Sequence, residues 1–298
     1  MSTIIKTLDV KAHQGPVYAI VAHSNTTLLS AGSDNMLKAW DLSSSTNNNW
    51  GIPFQATLYA LYVIEEKDKL LIGDAIGNIH LFDLKSKKIE QSTQFHKSAV
   101  FDIKYHALSN TVLSVSMDGS LVASSLPGMH IKDVQKIGPA KLRKLEIYNN
   151  EVFICAGNGI IYTYHLQGKT VQCYLNAHDL SANVCRKILL NNKEILISGG
   201  RDALLKVWRE KAKEPLVIKA HNFAIYEIDF SVNHTLMATA SRDKTIKIWD
   251  LQTLTLLHRI DYKTHKGHTH SVNTLKWLEH GLFSSGDDGR IIGWRIDE

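Results

Sequence analysis

The sequence predicts an all-β fold built from repeats, and three observations support this prediction. First, one segment recurs along the 298-residue chain, with Ser or Thr, then Asp four residues later, then an aromatic residue six residues after that. Second, the Asp position recurs about every 42 residues. Third, short runs of β-branched and aromatic residues flank each copy and end at turn-forming residues. Such a period in a chain of short strands is typical of a propeller of four-stranded blades.

The turn residue of the segment sets the register of the repeat. Clear copies are SAGSDNMLKAW (30–40) and TASRDKTIKIW (239–249). The seven turn residues are Asp34, Ile76, Asp118, Asn158, Asp202, Asp243 and Asp288, separated by 42, 42, 40, 44, 41 and 45 residues. We therefore predict a single seven-bladed β-propeller of four-stranded antiparallel blades, one domain over residues 1–298. Its repeats span approximately 13–42, 54–84, 96–126, 138–166, 178–210, 221–251 and 268–296.

The two ends of the chain supply complementary parts of one blade. The last repeat finishes its third strand at Trp294 and has no fourth. Residues 3–10 form a strand-like segment ahead of the first repeat. We expect this N-terminal strand to complete the seventh blade, because pairing it there removes two exposed sheet edges.

The pairs Gly267–His268, Trp40–Asp41 and Trp249–Asp250, with the spacings between them, resemble the WD-repeat family of β-propellers over roughly residues 1–296. This resemblance implies a buried hydrogen-bond network that runs from a loop His through Asp and Ser or Thr to the Trp indole. The complete sets are His13, Ser30, Asp34, Trp40; His178, Ser198, Asp202, Trp208; His221, Thr239, Asp243, Trp249; and His268, Ser284, Asp288, Trp294.

The incomplete repeats favour this structural reading over a hydrolase triad, which uses the same residue types. An enzyme needs one such set, whereas the chain has four. The second repeat has Phe54, Ile72 and Ile76 in place of His, Ser and Asp, and the fourth has Gly138, Ile154 and Asn158. Polar members are thus lost together, as expected where an unpaired buried group costs about 1–3 kcal/mol. We predict no catalytic residues.

The third repeat departs from the pattern in one position. It keeps His96, Ser114 and Asp118 but has Ser124 in the Trp position. We expect its strands to be the loosest packed of the seven.

Composition bounds the remaining possibilities. The longest apolar runs are about six residues, far short of the roughly 18 of a membrane span. The N-terminus lacks a signal-peptide pattern, and the three cysteines lack CxxC spacing. We expect an intracellular, cytoplasmic protein that does not enter a membrane. No cofactor motif occurs, and we predict neither a cofactor nor a metal site, because His268 of HKGHTH (265–270) already belongs to a network.

The resemblance also implies that two positions in each repeat face the top surface of the propeller. One lies just inside the first strand and gives Tyr18, Tyr59, Phe101, Arg143, Arg186, Tyr226 and Asn273. The other precedes the turn residue, and its charged members are Arg201, Arg242 and Asp287. Tyr and Arg dominate binding hot spots, and Arg suits carboxylate or phosphate groups.

These residues predict a non-enzymatic scaffold, a monomer or a subunit of a larger complex. Its partner would be a protein or peptide with aromatic or aliphatic anchors and an acidic or phosphorylated residue, in keeping with a net charge of +5. A nucleic-acid or phosphate-group binding module is one alternative, since bases stack on aromatic and Arg side chains. A propeller hydrolase or lactonase is another, but the predicted surface offers a single carboxylate, that of Asp287.

Overall fold

The computed structural model describes residues 3–42, 50–209 and 214–297. Across these ranges 28 strands form seven four-stranded antiparallel sheets. They are the blades of a seven-bladed β-propeller, which confirms the predicted fold class. The chain clusters into two compact units, residues 1–58 with 221–298 and residues 59–220. The predicted end of the fifth repeat, residue 210, lies outside the described ranges.

The first unit holds three sheets. In chain order within each sheet, the strands are β2 (Val17–Ser24), β3 (Thr27–Gly32), β4 (Met36–Asp41) and β5 (Trp50–Pro53); β22 (Ile225–Phe230), β23 (Leu236–Ser241), β24 (Ile246–Asp250) and β25 (Leu256–Ile260); and β26 (Val272–Leu278), β27 (Gly281–Gly286) and β28 (Arg290–Asp297) with β1 (Thr3–Lys11).

The second unit holds four sheets. Their strands are β6 (Leu58–Ile64), β7 (Lys69–Asp74), β8 (Asn78–Asp83) and β9 (Lys88–Gln94); β10 (Val100–His106), β11 (Thr111–Ser116), β12 (Ser120–Ser125) and β13 (Ile131–Lys136); β14 (Leu142–Tyr148), β15 (Glu151–Ala156), β16 (Ile160–His165) and β17 (Thr170–Asn176); and β18 (Ala182–Leu190), β19 (Lys193–Gly200), β20 (Leu204–Arg209) and β21 (Leu216–Lys219).

The N-terminal strand completes the last sheet, as predicted. β1 pairs antiparallel with β28, from Thr3 opposite Asp297 to Lys11 opposite Arg290. Side chains reinforce the pairing, since the Arg290 guanidinium donates to the Asp9 carboxylate and Lys11 Nζ donates to the Asp288 carbonyl at 2.7 Å. β28 is therefore covered along its length, and the seventh sheet has its fourth strand.

A tight turn joins the second and third strands of every sheet. The residue that follows the turn position has a positive φ, a conformation that Gly adopts without strain. These residues are Asn35, Gly77, Gly119, Gly159, Ala203, Lys244 and Gly289. At Gly119 a Cβ atom would lie 2.2 Å from the Gly138 carbonyl oxygen, so a side chain there is excluded by contact as well as by conformation.

The middle strands of each sheet carry the core. β11 and β23 are buried at every position, because both of their faces are covered. In the first unit one apolar cluster joins Ile248 with Leu282 and Trp294. In the second unit another joins Val115 with Leu145. Buried middle strands explain why the repeat reads as nearly continuous apolar runs rather than as strict alternation.

The third sheet does not show the exposure that loose packing would produce. β11 is buried throughout, and β12 is buried at every position except Ser125. Ser124, in the position where four other sheets have Trp, is itself buried. Neither of the two short helices in the described ranges, the 3₁₀ turn Glu65–Lys67 and α1 (Tyr262–His265), is long and apolar enough to cross a bilayer.

Candidate partner-binding site

In the sixth sheet His221, Thr239, Asp243 and Trp249 form one chain of hydrogen bonds. His221 Nδ1 lies 2.9 Å from Asp243 Oδ2, and Nε2 lies 2.8 Å from Thr239 Oγ1. Trp249 Nε1 donates to the same hydroxyl at 3.0 Å. Because the carboxylate only accepts, Nδ1 carries the imidazole proton and Nε2 accepts from the hydroxyl. The Thr239 hydroxyl thus donates to His221 and accepts from Trp249, and Thr239 is fully buried.

The three other complete sets have the same geometry. The His Nδ1 to carboxylate distances are 2.6–2.9 Å, and the His Nε2 to hydroxyl distances are 2.7–3.0 Å. The Trp Nε1 to hydroxyl distances are 2.8–3.0 Å. The residues involved are His13, Ser30, Asp34 and Trp40; His178, Ser198, Asp202 and Trp208; and His268, Ser284, Asp288 and Trp294.

The electrostatics of the first and sixth sheets favour a neutral His beside an ionised Asp. Burial lowers the pKa of His13 and His221, although the neighbouring carboxylates oppose this. Burial alone would raise the pKa of Asp288, but hydrogen bonds from His268 and from two backbone amides lower it to about 2. The protonation states of these groups therefore do not change near neutral pH. The hydroxyls of all four sets are buried, so a substrate cannot reach them.

The third sheet satisfies its histidine differently. His96 Nε2 lies 2.8 Å from Ser114 Oγ, and Nδ1 lies 2.9 Å from Ser120 Oγ. Ser120 Oγ in turn donates to Asp118 at 2.5 Å. Ser124, in the Trp position, is 1% exposed, and its hydroxyl has no hydrogen-bond partner among the described residues. The missing indole is therefore not replaced by another donor to Ser114.

The second sheet contains a polar chain that the sequence reasoning missed. Asp74 lies two residues before Ile76, which the repeat register placed in the turn position. Its Oδ1 accepts from the amides of Ile76 and Asn78, and its Oδ2 lies 3.2 Å from His80 Nε2. His80 Nδ1 lies 2.7 Å from Ser92 Oγ. The second repeat is therefore not purely apolar, and an Asp and a His six residues apart were the available signal.

The second residue of each first strand lies in a β-bulge in the six sheets whose first-strand register is described. The register shifts after Val17, Val100, Leu142, Ala182, Ile225 and Val272. A bulge re-aims a side chain at the end of a strand. It places Tyr18, Phe101, Arg143, Tyr226 and Asn273 at equivalent positions, as the sequence register predicted.

The fifth sheet corrects one assignment. Its bulge residue is Asn183, whereas the sequence register placed Arg186 there. Arg186 lies three residues further along β18, opposite Ile197, and its Nη1 lies 3.2 Å from Glu146 Oε2. β18 starts four residues after His178, as the first strands of the other sheets start four residues after His13, His96, His221 and His268. The register failed because the extra residues of this repeat lie within the longer hairpin of β18 and β19, and not ahead of β18. Arg186 belongs to an ion pair between two sheets, and Asn183 is 7% exposed.

The residue before each turn lies beside the bulge of its own sheet. The Arg201 amide donates to the Ser181 carbonyl at 2.8 Å, and the Arg242 amide donates to the Ala224 carbonyl at 2.9 Å. The same bond holds Asp287 to Ser271. In these sheets both predicted positions therefore lie at the same end of the sheet.

In the second unit these positions bring cations and aromatic rings together. We call the group Tyr59, Phe101, Lys141, Arg143 and Arg201 the second-unit rim. The Tyr59 and Phe101 rings pack edge to face at 5.6 Å, and Arg143 Cζ lies 5.6 Å from the Phe101 ring centroid. The charge of Arg143, then burial and the charge of Arg201, lower the pKa of Lys141. The charges of both arginines therefore act on Lys141, which was not among the sequence predictions.

Apolar side chains stand exposed on the turns and loops at the same end of these sheets. Ile76 is 50% exposed, Met117 51% and Leu180 49%. Met117 precedes the turn of the third sheet, and its amide bonds to the Ala99 carbonyl next to the first strand. The electropositive second-unit rim thus lies at the same end of these sheets as exposed aliphatic side chains.

In the first unit some of the polar groups at these positions hydrogen-bond to one another. We call this set the first-unit rim, and its members are Tyr18, Tyr226, Arg242, Asn273 and Asp287. Asn273 Nδ2 donates to Asp287 Oδ1 at 2.8 Å and to the Val17 carbonyl at 3.1 Å. Both tyrosines are half-buried. Arg242 is exposed, and its Cζ lies 6.0 Å from the ring of Phe223, which is 57% exposed.

Comparison with known proteins agrees with this architecture. Residues 2–41, 213–250 and 261–295 match the family "WD domain, G-beta repeat". Nuclear distribution protein PAC1 of Fusarium vanettenii is 34% identical over 33% of this chain and 21% of its own length. Histone acetyltransferase type B subunit 2 of Candida glabrata is 25% identical over 70% of this chain and 54% of its own length. The chain thus spans only part of the curated relatives it matches.

Solved structures match over nearly the whole chain. A crystal structure of the WD40 β-propeller domain of Doa1 superposes with a TM-score of 0.83 at 15% identity, covering 99% of this chain and 97% of that one. The computationally designed Ika8 protein superposes with a TM-score of 0.71 at 21% identity, covering 98% and 99%. At these identities the likeness concerns the fold.

Proposed function

Because the chain belongs to the WD-repeat family of β-propellers, we propose that it is a non-enzymatic scaffold that holds a protein or peptide partner on its second-unit rim. The observation that carries the proposal is the grouping of Lys141 with Arg143, which stacks over the Phe101 ring, and with Arg201. Such a group attracts a carboxylate or a phosphate, and the guanidinium fork binds either in a bidentate manner.

Exposed aliphatic side chains supply the second element of recognition. Ile76, Met117 and Leu180 offer contacts for an apolar anchor of the partner. Buried apolar contact contributes affinity, while the cations select for acidic residues and speed the encounter. The partner is thus a peptide segment that pairs an acidic or phosphorylated residue with aliphatic or aromatic anchors. Relatives named as subunits, such as the acetyltransferase subunit, are consistent with a place in a complex.

A random hexapeptide library with one fixed position, either serine, glutamate or phosphoserine, tests the proposal. We expect the intact protein to enrich the glutamate and phosphoserine peptides that carry aliphatic or aromatic neighbours. Arg201→Glu should abolish this enrichment without changing the melting temperature, because Arg201 is exposed.

Arg209→Glu is the matched control. Arg201 lies in the turn that precedes β20, whereas Arg209 is the exposed last residue of β20, at the other end of that strand, and its substitution makes the same charge change. Equal enrichment by the intact protein and the Arg201→Glu variant would reject the second-unit rim. Loss of enrichment in both variants would instead indicate an effect of net charge alone. A single-stranded oligonucleotide that binds with a steep salt dependence would favour the nucleic-acid alternative.

A further inference from the structure

The chain Asp74–His80–Ser92 in the second sheet has the hydrogen-bond order of an activated serine. Asp74 is 2% exposed and His80 8% exposed. Burial alone would raise the pKa of Asp74, but hydrogen bonds from His80 and Asn78 lower it, so the group is a carboxylate. A carboxylate requires a donor, and His80 Nε2 therefore carries the proton. Nδ1 is left as the acceptor that faces Ser92 Oγ at 2.7 Å.

Ser92 differs from the hydroxyls of the four complete networks in two respects. Ser30, Ser198, Thr239 and Ser284 are fully buried, and each accepts an indole N–H. Ser92 lies on β9, the last strand of its sheet, and is exposed to solvent. The Trp position of this sheet holds Phe82, a side chain without a donor.

Within residues 3–42, 50–209 and 214–297 the arrangement also occurs once rather than in every repeat. His80 stands directly opposite Ser92 in the β8–β9 ladder, so strand pairing fixes the distance between them. Four bonds to Asp74, from two amides, Asn78 Nδ2 and His80, fix the carboxylate in turn. The repetition that argues for architecture in the other sheets therefore does not apply here.

We propose that Ser92 is a nucleophile that accepts an acyl group from small activated carboxylic esters. In this step Ser92 Oγ bonds to the ester carbonyl carbon, and the bond from that carbon to the leaving alkoxide or phenoxide oxygen breaks. The serine proton passes to His80 Nδ1 and then to the departing oxygen. Asp74 positions the imidazole. The products are an acyl-serine and one molecule of alcohol or phenol, and no further reactant is consumed.

Acylation by p-nitrophenyl acetate, followed by intact-mass and peptide-mass spectrometry, tests this proposal. We expect one acetyl group on Ser92 with release of one equivalent of p-nitrophenolate. Labelling should be at least about 100-fold faster than at Ser86, since a positioned base contributes about 10²–10⁴-fold. Ser86 is also exposed, but it hydrogen-bonds to Asp83 rather than to a histidine.

Variants separate chemistry from folding. Ser92→Ala should remove the label, and Ser86→Ala should retain it, with equal melting temperatures for both. His80→Gly should lose labelling and regain it with added imidazole, which a purely structural histidine would not permit. Asp74→Glu, which keeps a carboxylate, should retain more labelling than Asp74→Asn. Acetylation spread over lysines, or equal rates at Ser92 and Ser86, would overturn the proposal and leave the peptide-binding proposal untouched.

Discussion

The indole N–H of Trp249 donates to Thr239 Oγ1, the same oxygen that hydrogen-bonds to His221. One hydroxyl thus joins a loop histidine to the third strand of its sheet. Asp243 holds the far side of the imidazole, and Thr245 and the Asn222 amide hold Asp243. Removing any member leaves another buried polar group without its partner.

Asp243→Ala should lower the free energy of unfolding by about 2–4 kcal/mol, because it strips His221 of its acceptor. Urea unfolding followed by fluorescence measures the change. Glu90→Ala is the control, since Glu90 forms an exposed pair with Lys69 and should cost less than about 1 kcal/mol. Peptide capture by the folded fraction should persist, and its loss at unchanged stability would assign Asp243 to binding instead.

Ser124→Ala should be neutral or stabilise the protein by up to about 1 kcal/mol. The Ser124 hydroxyl is buried and has no partner among the described residues, so its removal spares a desolvation cost. The matched change Ser114→Ala should destabilise, because Ser114 Oγ bonds to His96. Thermal unfolding of the two variants distinguishes them, and a clear loss of stability in Ser124→Ala would imply a partner for that hydroxyl.

Stability should fall as the pH drops from about 7 towards 4. Burial lowers the pKa of His96 from 6.5 to about 4. Between these two pKa values the unfolded chain binds a proton at His96 that the folded chain does not bind. The contribution of neutral His96 to the free energy of unfolding is therefore complete above pH 6.5 and is lost as the pH falls. For this one group the loss amounts to about 3 kcal/mol.

Urea midpoints at several pH values measure this effect. His96→Asn should flatten the slope between pH 7 and 5, whereas His130→Asn should not, since His130 is exposed. Asp288 acts in the same direction at lower pH, because its pKa is lowered to about 2 and its contribution is lost below its usual value of 3.8. Stability that rises on acidification would contradict both assignments.

Deleting residues 1–11 should destabilise the seventh sheet as a whole. The deletion removes β1 and leaves β28 as an unpaired edge. We expect a lower melting temperature and a greater tendency to aggregate. A synthetic peptide of residues 1–12 added to the truncated protein should restore part of the stability by pairing with β28. A truncated protein that melts like the full chain would show that the pairing contributes little.

The periodic features of the fold could be predicted from sequence because they are local. Blade number, strand order and the His–Ser/Thr–Asp–Trp sets follow from spacings within one repeat. The Asp74–His80–Ser92 chain was not predicted, because its residues occupy other positions than those of the complete repeats. The acidic residue lies two positions before the turn residue, and the histidine lies on β8 and not in the loop ahead of the first strand. A register built from the complete repeats reads this sheet as apolar.

Hydrogen bonds and ion pairs between neighbouring sheets also could not be predicted from the sequence. Asp102 Oδ2 accepts the Leu145 amide at 2.9 Å, and Asp229 Oδ2 accepts the Trp277 amide at 2.6 Å. Each carboxylate lies on a first strand and binds the first strand of the next sheet, more than 40 residues away. Arg186 is a similar case, since its partner Glu146 decides its position rather than its place in the repeat.

The pairing of Thr3 with Asp297 has a mechanical consequence. A pulling force applied to the two chain ends would act on the terminal residue pair of the β1–β28 ladder. The hydrogen-bonded pairs would then break one after another from that end. Unzipping needs far less force than sliding two strands past each other. In a single-molecule pulling experiment the β1–β28 pairing should therefore separate first, at low force, before the other sheets unfold.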